Sequence, residues 1–240
     1  MENPRPRPEQ RLPPQAWEPF RQSIEEARVC LESIKASAST DPAWYCEMAS
    51  VAKVQHWPRE KFNAFAGELL ARHPAYYQAV FCAGEYLAPQ WHFEGAGAIE
   101  AFAGQAVAAT QKEEGKSVYA RIYWALDAGN ANPQVLGENF RAWPKMRSGF
   151  NDVIARYPDA WNLNHFAKYS CLVRDWEQFA KLNARIGKAP QQGVMEQKFY
   201  DRCKAPAAKL GFRVALIPAT VSRRLARSGI IGAKKGRWFL

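Results

Sequence analysis

The chain reads as an all-α protein: antiparallel helix pairs stacked as a short α-solenoid, built from two related halves. Three observations carry this expectation. First, landmarks recur in the same order. Trp57-Pro58-Arg59 returns as Trp143-Pro144-Lys145 (143 − 57 = 86), Ala71-Arg72-His73-Pro74 as Ala155-Arg156-Tyr157-Pro158 (158 − 74 = 84), and Trp91 as Trp176 (176 − 91 = 85). Self-similarity at about 85 residues suits a copied multi-helix unit that buries its apolar face against a neighbour. Second, apolar residues recur at helical spacing, and period-two alternation is confined to Phe212 to Ile217. Third, Trp-Pro, Asp-Pro and His-Pro pairs punctuate the chain at intervals suited to short helices.

Residues 1–15 are proline-rich and expected to be disordered. Trp17, Phe20, Ile24, Ala27, Leu31 and Ile34 then mark a first helix, and Ser37 to Thr40 a break. Thr40-Asp41-Pro42 opens the next helix, over Ala43 to Gln55, with an acceptor side chain just before a proline that has no N–H to leave unpaired. Further helices are expected over Pro58 to Arg72 and Pro74 to Leu87, followed by a loop over Ala88 to Gly95. An alanine-rich helix over Ala96 to Lys112 closes at Glu113-Glu114-Gly115, and Ser117 to Ala128 forms another. After the loop at Gly129 to Pro133, helices are expected over Gln134 to Ala142, Pro144 to Arg156, Asp159 to Val173 and Trp176 to Ile186, the last capped by Gly187. Val194 to Cys203 adds one more. The helical-repeat domain is thus 16–203, its halves about 42–113 and 134–187, and 204–240 is a basic tail.

With 240 residues, 48% hydrophobic side chains and 13% aromatics, the chain has enough apolar material for a core. A mean hydropathy of −0.42 and the lack of an apolar run near 18 residues argue against a spanning helix. No charged n-region followed by an apolar stretch opens the sequence, so a cytoplasmic location is expected. The five cysteines, Cys30, Cys46, Cys82, Cys171 and Cys203, are odd in number and widely spaced; they read as reduced, mostly small core residues. The net charge of +10 is uneven. Ten of 33 basic residues follow Asp201 and no acid does, so residues 1–201 hold 33 − 10 = 23 basic and 23 acidic side chains. Any attraction to nucleic acid or an anionic membrane therefore belongs to the tail.

At Pro89-Gln90-Trp91, Ala101-Phe102-Ala103 and Tyr119-Ala120-Arg121-Ile122-Tyr123-Trp124 the sequence resembles a family of uncharacterised bacterial proteins with tetratricopeptide-like helical repeats. Asp41-Pro42-Ala43-Trp44-Tyr45 and Tyr157-Pro158-Asp159-Ala160-Trp161-Asn162 add to the likeness, which covers about residues 40–187. It departs from that family after Trp91, where the family has small residues and this chain has His92-Phe93-Glu94. The resemblance implies an all-helical repeat fold and no established activity.

No constellation identifies a reaction. Gly115-Lys116-Ser117 imitates the end of a phosphate-binding loop, yet the glycine required five residues earlier is Thr110, and a helix precedes it rather than a strand. Gly95-Ala96-Gly97 has Glu100 where a dinucleotide fingerprint needs its third glycine. His92-Phe93-Glu94 lacks the cysteine half of a zinc deaminase signature. His56 and Glu60 are interrupted by Pro58, and Cys171 and His165, six residues apart, point to different sides of one helix. No catalytic, metal or cofactor residue is assigned.

Aromatic residues, among them Tyr45, Tyr77, Tyr86 and Trp161, exceed what two short helical cores need, so some should line a concave groove. Tyr119, Arg121, Tyr123 and Trp124, with Trp91, form the candidate partner-binding face, shared with a helix seam. In the tail, Arg223, Arg224, Arg227, Lys234, Lys235 and Arg237 are candidate electrostatic contacts for an anionic membrane or nucleic acid. The expected function is a noncatalytic module for an unidentified protein or peptide partner, not an enzyme. The alternatives are a tail-driven membrane or nucleic-acid adaptor and, third, a helical enzyme without a recognisable motif.

Overall fold

The structure, a computed structural model, describes residues 13–88, 91, 96–128, 140–187 and 190–215. Every regular element among them is a helix. In chain order these are α1 (Pro14–Ser33), α2 (Lys35–Ala38), α3 (Pro42–Val54), α4 (Arg59–Arg72), α5 (Tyr77–Tyr86), α6 (Ala96–Glu114), α7 (Ser117–Ala128), α8 (Trp143–Arg156), α9 (Ala160–Leu172), α10 (Trp176–Ile186) and α11 (Gln197–Ala215). No helix among the described residues is long and apolar enough to cross a membrane.

Three expectations about elements are corrected. The break expected at Ser37 to Thr40 contains the second half of the short helix α2. The helix expected from Pro74 begins only at Tyr77, because Pro74 lies in a turn closed by the Tyr76 amide on the His73 carbonyl. Finally, α11 runs through 215, so the basic segment from 204 begins as helix. The expected helix over Gln134 to Ala142 falls mostly outside the described residues; Ala142 itself precedes α8.

The chain divides into two compact units, one ending at Pro158 and the other beginning at Asp159, so the division falls inside the segment 134–187 expected as the second half. In the first unit α3 packs chiefly on α5 and α7 on α8, with α6 against α7. Its interior is aromatic. Phe62 and Tyr86 stack with ring centroids 3.8 Å apart, and the Tyr86 hydroxyl donates to the Trp57 carbonyl at 2.5 Å. Such a bond lets a buried phenol contribute area without stranding its oxygen. At the α3 start, Asp41 accepts the Ala43 amide at 2.8 Å beside first-turn Pro42.

Helices α7 and α8 approach closely because Gly149 has no side chain: a Cβ there would lie 2.5 Å from the Lys116 carbonyl oxygen. The α6–α7 turn depends on glycine in another way. Gly115 has φ +59°, and Asp152 fills the space beside it while accepting the Lys116 amide at 2.7 Å. The amide that a phosphate-binding turn would offer is thereby occupied by a carboxylate.

In the second unit α10 packs on both α9 and α11. Asp159 caps α9 through the Asn162 amide at 2.9 Å, Asp175 caps α10 through the Gln178 amide at 3.1 Å, and α10 ends on Gly187 at φ +85°. Tyr200 packs against Phe179 and its hydroxyl donates to Asn183 Oδ1 at 2.5 Å.

The cysteines overturn their expected state. Cys46 on α3 is bonded to Cys82 on α5, and Cys171 on α9 to Cys203 on α11; only Cys30 is free, and it is exposed. Their Cα separations of 5.2 Å and 5.7 Å lie inside the range disulfides require.

Candidate functional site

The expected partner-binding residues separate into three environments. Tyr119 and Tyr123 are interior, 3% and 1% exposed. Their rings stack at 4.9 Å, and both hydroxyls turn to Glu100, 3.2 Å away in the case of Tyr123. Lys145 of α8 pairs with the same carboxylate. Burial raises the Glu100 pKa, but the Lys145 ammonium and the two phenols outweigh it and hold the carboxyl below its ordinary value; burial and the Glu100 charge push both tyrosines up. The group therefore ties α6, α7 and α8 together. Trp124 is half-buried and stacks on Phe150, and Trp91 is half-buried with the Lys53 ammonium 5.2 Å from its ring centroid.

Arg121 differs. Placed on α7, one helical turn from Ser117, its guanidinium lies 5.7 Å from the Tyr77 ring and 5.5 Å from the Tyr157 ring. Tyr77 opens α5 and Tyr157 terminates α8, so three helices of the first unit bring the group together. Its Nε is buried without a hydrogen-bond partner among the described residues. Tyr157, in contrast, is 39% exposed, and Tyr76 beside Tyr77 is 42% exposed.

Glu114, the last residue of α6, anchors the surround. Its Oε1 accepts from the Tyr157 hydroxyl at 2.9 Å and from Arg156 at 3.1 Å, and its Oε2 from the Ser117 hydroxyl at 3.1 Å. Burial opposes ionisation of Glu114, but these donors and the Arg156 charge win and keep its pKa low. Tyr77 is pushed up by burial and by the Glu114 charge. A guanidinium fixed between two rings keeps its planar fork of donors while losing little rotamer freedom, which suits recognition of a carboxylate or a peptide carbonyl.

The sequence marks Arg121 as a binding candidate and Tyr77 among the surplus aromatics, but Tyr157 only as a repeat landmark and Glu114 only as a helix end. A signal existed: the offset of 84 maps His73 onto Tyr157. At the end of α4, Glu68 takes the Tyr45 hydroxyl at 2.9 Å, Arg72 reaches the Ser39 hydroxyl at 3.2 Å, and the His73 ring lies 5.4 Å from the Tyr45 ring. At the end of α8, Asp152, Arg156 and Tyr157, each 84 residues later, reach back in the same manner to Lys116, Glu114 and Arg121. His73 and Tyr157 also share backbone conformation, with φ/ψ of −135°/50° and −127°/74°.

The remaining candidates are dispersed. His56 sits in a left-handed turn (φ 51°) ahead of α4, whose first turn holds Glu60. His73 Nε2 lies 3.0 Å from the Ser39 carbonyl oxygen. His165 is buried against Trp161, with ring centroids 4.9 Å apart, and burial lowers its pKa to about 3. His92-Phe93-Glu94, Gly95 and the tail residues Arg223, Arg224, Arg227, Lys234, Lys235 and Arg237 lie outside the described residues. Among the described residues no three His, Cys, Asp or Glu side chains gather as a metal site requires. No protein-family model, curated protein or solved structure matches the chain.

Proposed function

We propose that the chain is a noncatalytic helical-repeat module that binds another protein, with Arg121 as a principal contact. The guanidinium held between Tyr77 and Tyr157 carries this reading. It is oriented and partly desolvated, and Tyr157 extends from it to solvent. Interfaces draw disproportionate affinity from such Arg and Tyr groups. The matching ends of α4 and α8 support the finer picture of a tetratricopeptide-like α-solenoid with two related halves.

Affinity capture with the intact chain, Arg121→Gln and Tyr157→Ala tests this, with Lys181→Ala on α10 as a surface control. A captured protein, once purified, should bind Arg121→Gln at least about tenfold more weakly, the loss expected of an interface hot spot. Equal affinity for the intact chain and for both variants sinks the reading.

A second reading follows from charge: Arg223, Arg224, Arg227, Lys234, Lys235 and Arg237, unaccompanied by acids, suit an adaptor for an anionic membrane or nucleic acid. Vesicle and nucleic-acid binding that falls steeply with salt in the full chain, and vanishes in a chain ending at residue 215, would select it. Equal binding by both chains would reject it.

A further inference from the structure

We infer that the Cys46–Cys82 and Cys171–Cys203 disulfides are resident in the mature protein, and that the chain therefore folds and works where protein thiols are oxidised. Four of the five cysteines are used, in pairs 36 and 32 residues apart, and the pairs are distributed one to each compact unit. Each bond does something different in its unit. Cys46–Cys82 joins α3 and α5, which already form the most extensive helix contact of the first unit. Cys171–Cys203 joins α9 and α11, whose packing runs mainly through α10, so the sulfur bridge closes the three-helix unit directly.

Core cysteines serving as small apolar residues have no reason to meet pairwise; packing alone would scatter them among Leu, Ala and Val. Two separate meetings at bonding distance, leaving the exposed Cys30 over, are what a selected disulfide framework produces. This replaces the expected reduced state, and with it the expected cytoplasmic location, since reducing compartments keep such thiols apart. Forming each bridge removes two electrons and two protons from a pair of thiols. The acceptor is the disulfide of a thiol oxidoreductase, which is reduced to its dithiol in the exchange.

The two bridges differ in access. Cys171 and Cys203 are 9% and 1% exposed, whereas Cys46 and Cys82 are only half-buried. Because exchange needs a thiolate to reach a sulfur, added reductant should open Cys46–Cys82 first.

The test is thiol trapping in the organism that makes the protein. Cells are quenched in acid, free thiols are alkylated with a mass-tagged maleimide, and adducts are counted before and after full reduction. One adduct is expected before reduction, at Cys30, and five after it. Peptide mapping should join Cys46 to Cys82 and Cys171 to Cys203. More than one adduct in the acid-quenched protein, or any bridge that includes Cys30, overturns the inference. Graded reduction of the purified chain that frees Cys171 and Cys203 before Cys46 and Cys82 overturns the order of access.

Discussion

Tyr86 shows what one hydroxyl contributes. Its ring is fully buried on Phe62, and its proton goes to the Trp57 carbonyl. Tyr86→Phe keeps the ring and strands a buried acceptor, so stability should fall by about 1–3 kcal/mol in urea unfolding. His165 gives a pH prediction. Its folded pKa lies near 3, below the ordinary 6.5, so as pH falls through 6.5 the unfolded chain takes up a proton that the folded chain refuses. Stability from this residue is complete above pH 6.5 and is lost at about 1.4 kcal/mol per pH unit further down. Unfolding at pH 7, 5 and 4 should show the slope, and His165→Gln should flatten it. Glu68 acts in the same direction but lower. The Lys35 ammonium is the main influence holding its carboxyl below 4.5, burial opposing and Tyr45 assisting, so this contribution exists above 4.5 and fades as acid protonates the group. At this scale the sequence showed which residues were capable of chemistry, such as Arg121, but not their neighbours. Tyr77 and Tyr157 reach Arg121 from other helices, and no local spacing encodes that meeting.

Helix boundaries were the most legible feature. Asp41-Pro42, Gly115 and Gly187 act through their own backbone neighbours, so their roles can be read from adjacent residues. The start of α5 was less legible, because the turn closed by Tyr76 on the His73 carbonyl carries the chain past Pro74 before the helix begins, and α11 runs on through 215 with no stop signal at Cys203. Two glycines separate local preference from packing. Gly149→Ala should destabilise by about 1–3 kcal/mol, since its methyl meets the Lys116 carbonyl and Ala120 of α7. Gly84→Ala meets only ordinary contacts at 3.5 Å and beyond, from Phe102, Ile122 and Leu126, so helix preference should prevail and stability should rise by up to about 1 kcal/mol. Thermal unfolding of the two variants side by side checks both signs.

For the whole molecule, the all-helical class followed from apolar spacing and held throughout the described residues. The division at Pro158/Asp159 did not follow, because a boundary between compact units depends on which helices touch. Cysteine pairing was illegible for the same reason: separations of 36 and 32 residues say nothing about which helix faces meet. Replacing Cys46 and Cys82 together with Ala should lower stability by about 2–4 kcal/mol, and Cys171 with Cys203 by a similar amount, measured without reductant.

The covalent ties also decide what a protease releases. A single backbone cut anywhere between Cys46 and Cys82, or between Cys171 and Cys203, leaves the two fragments attached, and the clipped chain migrates at its original mass until a reducing agent is added. A cut between Cys82 and Cys171 sets the pieces free at once. Comparing digests on reducing and nonreducing gels would thus locate the first cleavage before any fragment is sequenced.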